Sequence, residues 1–85
     1  MKTATTSSGT YYLFNKKDQK TPIVFVHGVG LTHEIWQPQL DFFKEYTTIT
    51  YDLLGHGKSP LNKEIISFND FSDQIIELIL SLIHI

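Results

Sequence analysis

Four consecutive apolar residues, Ile23-Val24-Phe25-Val26, run into His27-Gly28 with no polar residue among them. A strand with one wet face alternates apolar and polar positions, whereas an unbroken β-branched and aromatic run needs cover on both faces. The run predicts a central strand of a parallel sheet, and parallel pairing requires a crossover before the next strand. Thr32 is suited to cap a helix starting near His33, after which Ile35, Trp36, Leu40, Phe43 and Phe42 recur at helical spacing. Pro38 sits early, where a missing N–H is tolerated, but it is also able to split the segment in two. Residues 47–52, "TTITYD", are short and β-branched and read as a second buried strand. Strand, helix and strand in succession predict a right-handed βαβ unit.

The flanks extend this plan. "KTATT" and "TYYLFNKK" read as two strands joined by a turn at Ser7-Ser8-Gly9. "LLGHGKSPLNKE" follows the second buried strand as a Gly/Pro loop. From about Phe68 the chain turns helical, with Asp70, Asp73, Gln74, Glu77, Ser81 and His84 on one stripe roughly 100° wide. Apart from Asn69 and Ser72 the rest of that helix is Phe, Ile and Leu, so it expects neighbours on several sides. Two or three strands and one other helix cannot supply them all. Residues 1–85 are therefore expected to be part of a larger α/β domain, with no repeat and no second domain. The apolar last helix is expected to promote self-association.

Composition narrows the function classes. The formal net charge is −2 and every basic residue is a scattered Lys, which argues against nucleic acid as a partner. Cysteine is absent, removing disulfides, thiolate metal sites and a Cys nucleophile. The longest apolar stretch, "IIELILSLIHI", contains Glu77 and falls short of the roughly 18 residues that span a bilayer. "MKTATTSSGT" lacks the apolar core of a signal peptide. A cytoplasmic protein without a membrane partner is expected. His33, His56 and His84 have no spacing suited to a metal site.

Two nucleotide-binding readings are worth weighing. "GVGLTH", Gly28 to His33, matches two-thirds of G-x-G-x-x-G, and Asp52 lies at the next strand tip, where a ribose-binding acid would sit. The third glycine, needed for close helix–strand packing, is His33. "GHGKS" ends like a phosphate loop, but the position that should hold its first glycine is Asp52, whose carboxylate would repel phosphate.

Taken together, the two strand ends say more. "HGVG" (His27 to Gly30) closes a buried strand, Trp36 lies early in the next helix, and "YDLLGHGKSP" (Tyr51 to Pro60) closes the following strand. This combination resembles the α/β-hydrolase family, in which a His-Gly strand end, a Trp and D-x-x-G-x-G-x-S occur in that order. The wording is similar to the esterase and lactonase branch that includes 3-oxoadipate enol-lactonases. The resemblance implies a three-layer α/β fold, here its N-terminal portion (hairpin, then strand-helix-strand-helix), and hydrolysis of a small-molecule ester, lactone or related acyl substrate through a covalent acyl-enzyme with no cofactor. It makes the backbone N–H of Val29 an oxyanion donor, with His27, Gly28 and Gly30 shaping the oxyanion loop. It makes Trp36, Asp52, Gly55, His56, Gly57 and Ser59 pocket-wall or loop-shaping residues. Asp52 is then expected to cap backbone N–H groups rather than act as an acid.

The family's nucleophile sits on a G-x-S-x-G elbow, and no serine here has both flanking glycines. Ser59 comes nearest, but Pro60 follows it. The resemblance therefore implies that nucleophile, base and acid lie outside this sequence and that the 85 residues alone do not turn over. An interaction module without catalysis and a nucleotide-binding βαβ unit are the alternatives.

Overall fold

The computed structural model describes residues 2–17, 21–61 and 67–82. Four strands form one mixed sheet: β1 (Lys2–Thr5), β2 (Tyr11–Asn15), β3 (Ile23–Val26) and β4 (Thr48–Tyr51), in spatial order β1-β2-β4-β3. β1 pairs antiparallel with β2 and β2 antiparallel with β4, while β3 lies parallel to β4. The hairpin and the parallel strand pair are those read from the sequence. The connection within the parallel pair is a 3₁₀ turn, His33–Trp36, running into a short helix α1, Gln37–Phe42; a longer helix α2, Phe68–Leu82, follows β4. No helix among the described residues is long and apolar enough to cross a membrane.

Register sorts the side chains to two faces, because alternate strand residues point oppositely. On one face Tyr12, Ile49 and Tyr51 form a buried cluster with Leu53, Leu78 and Leu82, and Phe14, Val24, Phe71, Ile75 and Ile79 pack around it. This is the sheet-on-α2 layer. On the other face Phe25 stacks on Trp36 at 5.1 Å and on Phe43 at 6.1 Å between ring centroids, and Tyr11 meets His33 at 5.3 Å. A helical layer therefore lies on each side of the sheet, an α/β sandwich in small.

Three local expectations change. The apolar run of β3 predicts a central strand, but β4 holds that place: all four of its residues are buried, whereas β3 is half-buried and Val26 is 44% exposed. Among the described residues nothing pairs with β3's outer edge. Its composition matches a covered strand, and the cover on that side is missing from these residues. The crossover helix is divided as Pro38 allows. Thr32 caps the 3₁₀ turn by accepting from the Glu34 N–H, and Pro38 occupies the first turn of α1, where no N–H is required. Phe42, expected on the packed face, is 79% exposed because α1 ends there.

The third change concerns α2. Its fully covered residues are Gln74, Leu78 and Leu82, each four positions from the next and so aligned along one line of the helix. Gln74, assigned to the polar stripe, belongs to the buried line. Ile76 and Leu80 are more than half exposed beside Asp73, Glu77 and Ser81, which fits a helix expecting neighbours on more than one side. His84 lies outside the described residues.

Candidate functional site

Both parallel strands point their C-terminal ends the same way, so the loops after β3 and β4 stand side by side. Open α/β sheets bind ligands at this edge. The loop after β4 is organised by Asp52. Its carboxylate is buried, with Oδ1 accepting from the backbone N–H of His33 at 2.7 Å and from His33 Nδ1 at 2.8 Å. Oδ2 accepts from the Lys58 N–H at 2.9 Å. Burial acts to raise the pKa of this carboxyl. The backbone hydrogen bonds from Lys58 and His33, the His33 side-chain bond and the positive charge that His33 can carry outweigh it, holding the group below its ordinary range.

Gly57 shows how tightly the loop wraps this carboxylate. Its φ is +50°, and a Cβ added there would run into the Asp52 carboxylate. Only glycine satisfies both conditions. Ser59 Oγ accepts from the Tyr11 N–H at 3.0 Å, tying the loop to β2. From the other side Gln74 Oε1 accepts from the Leu54 N–H at 3.1 Å, while its Nε2 donates to the Asp52 carbonyl at 2.9 Å and to Thr10 Oγ1 at 3.1 Å. Sequence reasoning missed this brace. The available signal was the four-residue spacing of Gln74 to Leu78 and Leu82. His33, which in the sequence marks the helix start and stands where a third glycine would be, is a double donor to Asp52.

The loop after β3 differs. Gly28, Val29 and Gly30 are exposed, Val29 to 79%. The Leu31 N–H closes a turn on the Gly28 carbonyl at 3.1 Å. Gly30, at φ +88°, donates its N–H to His56 Nε2 at 2.9 Å. No described residue accepts from the N–H of Val29.

Two imidazoles join the loops. His27 is buried, its Nδ1 lies 2.7 Å from the Gly28 carbonyl, and its Nε2 accepts from the Leu53 N–H at 3.0 Å. His56 places Nδ1 2.9 Å from the Leu54 carbonyl. Carbonyls only accept and amides only donate, so both rings are neutral with the proton on Nδ1. His27 Nε2 also comes within 4.0 Å of Asp52 Oδ1, but with its lone pair given to Leu53 this proximity is not an ion pair. Trp36 lies on Phe25, and its buried Nε1 finds no acceptor among the described residues. Gly55 turns the β4 loop at φ +74°, against Leu61.

This arrangement bears on the nucleotide readings. The first N–H of the 3₁₀ turn and the amide of Lys58, the positions a phosphate would need, both already hold the Asp52 carboxylate. Lys58 Nζ lies 4.8 Å over the Tyr11 ring. An internal anion occupies the anion site.

Residues 23–84 match the Alpha/beta hydrolase family. Over 62 residues, 72% of this chain and 24% of the relative, the sequence is 42% identical to (E)-2-((N-methylformamido)methylene)succinate hydrolase of Acinetobacter baylyi. It is 32% identical to the non-heme chloroperoxidase CPO-A1 of Kitasatospora aureofaciens over 96% of this chain and 30% of that protein. It is also 40% identical to 3-oxoadipate enol-lactonase 1 of Acinetobacter baylyi over 55% of this chain and 18% of that protein. The chain thus spans less than a third of the length of these relatives.

Proposed function

The chain belongs to the α/β-hydrolase family, and from that membership we propose that it forms the oxyanion-loop half of a hydrolase site acting on a small ester, lactone or related acyl compound. One observation carries the reading. At the tip of a parallel strand, the exposed residue Val29 keeps an N–H that no described residue accepts, while its neighbours Gly30 and Leu31 have theirs committed. An amide in that state is available to a ligand.

The chemistry follows from charge. When a nucleophile attacks an acyl carbon, the carbonyl π electrons move onto oxygen and a negative charge develops there. A fixed N–H aimed at that oxygen stabilises the transition state, and loss of one such donor costs roughly 10²–10³ in kcat. The rest of the mechanism, a nucleophile–His–acid triad, is supplied by sequence beyond these 85 residues. Ser59 does not fill the nucleophile's role: its hydroxyl is buried and occupied by the Tyr11 N–H. Asp52 is read instead as the organiser of its own loop, its oxygens accepting from the His33 and Lys58 amides and from the His33 ring. Two of the similar proteins are named for hydrolysis of a succinate derivative and of an enol-lactone, which supports an acyl substrate; the chloroperoxidase shows that similarity over this span does not define one reaction.

Two assays test the reading. The 85-residue chain alone is expected to hydrolyse p-nitrophenyl acetate no faster than a scrambled peptide. A chimera placing residues 23–84 in the corresponding segment of the enol-lactonase is expected to turn over. In that chimera Val29→Pro, which deletes the N–H, lowers kcat by about 10²-fold or more; undiminished kcat would end the reading. Self-association through the outer face of α2 is the second reading, supported by exposed Ile76 and Leu80. Light scattering that stays monomeric as concentration rises would remove it.

A further inference from the structure

The Val29 N–H lies in one peptide plane and the Val29–Gly30 peptide forms the next, and each plane is held by one imidazole. The first plane contains the Gly28 carbonyl and the Val29 N–H. Its carbonyl receives His27 Nδ1–H at 2.7 Å and the Leu31 N–H at 3.1 Å. The Gly28–Val29 peptide is trans, so the Val29 N–H points opposite to that carbonyl and away from both donors. The second plane contains the Val29 carbonyl and the Gly30 N–H, and that N–H ends on His56 Nε2 at 2.9 Å.

Gly30 is a place where such a hold matters. Its φ is +88°, and no atom lies within 4 Å of where a Cβ would stand, so packing does not restrain the peptide. His56 is itself anchored by its Nδ1–H on the Leu54 carbonyl, inside the loop that Asp52 and Gln74 secure. The braces are reciprocal. His27, on the β3 side, takes the Leu53 amide of the β4 loop; His56, on the β4 side, takes the Gly30 amide of the β3 loop; the rings stand 5.3 Å apart.

We propose that His56 is the positioning residue of the oxyanion loop: in its neutral Nδ1–H tautomer it fixes the Val29–Gly30 peptide through Gly30 and so leaves the Val29 amide as the donor offered to substrate. The proposal rests on the oxyanion reading of Val29. His56 touches no reacting atom in this scheme. It acts through Gly30, and any side chain that presents an acceptor at the Nε2 position replaces it in part.

NMR on the ¹⁵N-labelled 85-residue chain tests this. A scalar coupling across the hydrogen bond is expected between Gly30 N and His56 Nε2. In His56→Phe the Gly30 amide exchanges about tenfold faster, the loss of one ordinary hydrogen bond. The dipolar couplings of the Val29 N–H then depart from their wild-type orientation, while the β4 amides keep their protection. His56→Gln, whose Oε1 reaches the Nε2 position, restores both. Absence of the coupling in the wild type overturns the proposal. So does a His56→Phe chain with β4 protected and with Gly30 exchange and Val29 couplings unchanged. Should His56→Phe lose β4 protection, the wild-type coupling and the His56→Gln spectrum decide. The two failures stay separate: an undiminished chimera kcat after Val29→Pro removes the oxyanion reading without altering these couplings, and missing couplings remove His56 while Val29→Pro remains decisive.

Discussion

The loops after β3 and β4 lie side by side yet are built on opposite terms. The β4 loop is wrapped around a buried carboxylate and tied to β2 and α2 through Ser59 and Gln74. The β3 loop is exposed from Gly28 to Leu31 and is held by a turn and two imidazoles. The β4 loop commits most of its amides to protein acceptors, whereas the β3 loop leaves the exposed Val29 amide without one among the described residues. A spare donor is useful to a ligand only if it does not wander, and the dense loop is what the open loop leans on. Substitutions should therefore divide, with large stability costs on the β4 side and small ones on the β3 side.

The largest cost is expected at Asp52. Asp52→Ala leaves the His33 and Lys58 amides and the His33 ring N–H without their acceptor. At about 1–3 kcal/mol for each orphaned donor that water cannot reach, the loss is roughly 3–5 kcal/mol, measurable by urea unfolding. Asp52→Asn separates charge from shape, because it can still accept from His33 but turns an NH₂ toward Lys58. The pH dependence has a fixed sign. Folding lowers the Asp52 pKa, so its contribution is complete above the ordinary carboxylate range and disappears as pH falls through the lower folded value. The stability gap between wild type and Asp52→Asn should be constant near neutrality and close on acidification. A gap that stays open in acid would mean that the carboxylate is not the organiser.

Gly57 is the next test of the same loop. Gly57→Ala must hold φ at +50° and also displace the carboxylate. Adding about 1–2 kcal/mol for the backbone to about 1–3 for overpacking gives a cost near 2–4 kcal/mol. Gln74→Leu follows, at about 2 kcal/mol, since it strands the Leu54 N–H and removes the donor to the Asp52 carbonyl. If Gln74→Leu proved neutral, the link from α2 to the β4 loop would be decorative and the contrast between the loops would weaken.

These residues also mark what could be read in advance. The hairpin, the parallel pair and the last helix are local patterns of β-branched runs and helical spacing, and they were legible. The His27-Gly28 end and the Asp52 loop were legible as a combination of motifs, which led to the family before any geometry. The place of β3 was not legible, because composition reports the cover a strand needs and not whether the residues at hand supply it. Gln74 was not legible either, because a polar residue at the margin of a stripe faces solvent or core according to partners far away in sequence. The path of the Gly30 amide depends on the ring of His56 across the loop, a relation that spacing does not encode.

On the open loop the costs should be small and should separate backbone from side chain. Gly30→Ala is expected to cost about 1–2 kcal/mol for its positive φ alone, since open space surrounds the position of its Cβ. That is less than Gly57→Ala, although both glycines have positive φ.

Val29 is the limiting case. Its side chain is 79% exposed, so Val29→Ser should move stability by less than about 0.5 kcal/mol. It should also leave kcat in the chimera close to that of the Val29 form, because serine keeps the amide that does the donating. Val29→Pro at the same position removes the amide and should be severe in kcat while remaining mild in stability. A side chain that can be exchanged freely beside a backbone atom that cannot be removed is the pattern expected of an oxyanion donor. Equal losses from Val29→Ser and Val29→Pro would instead assign the effect to the valine side chain, and the open loop would then be a binding wall whose spare amide has no part in the chemistry.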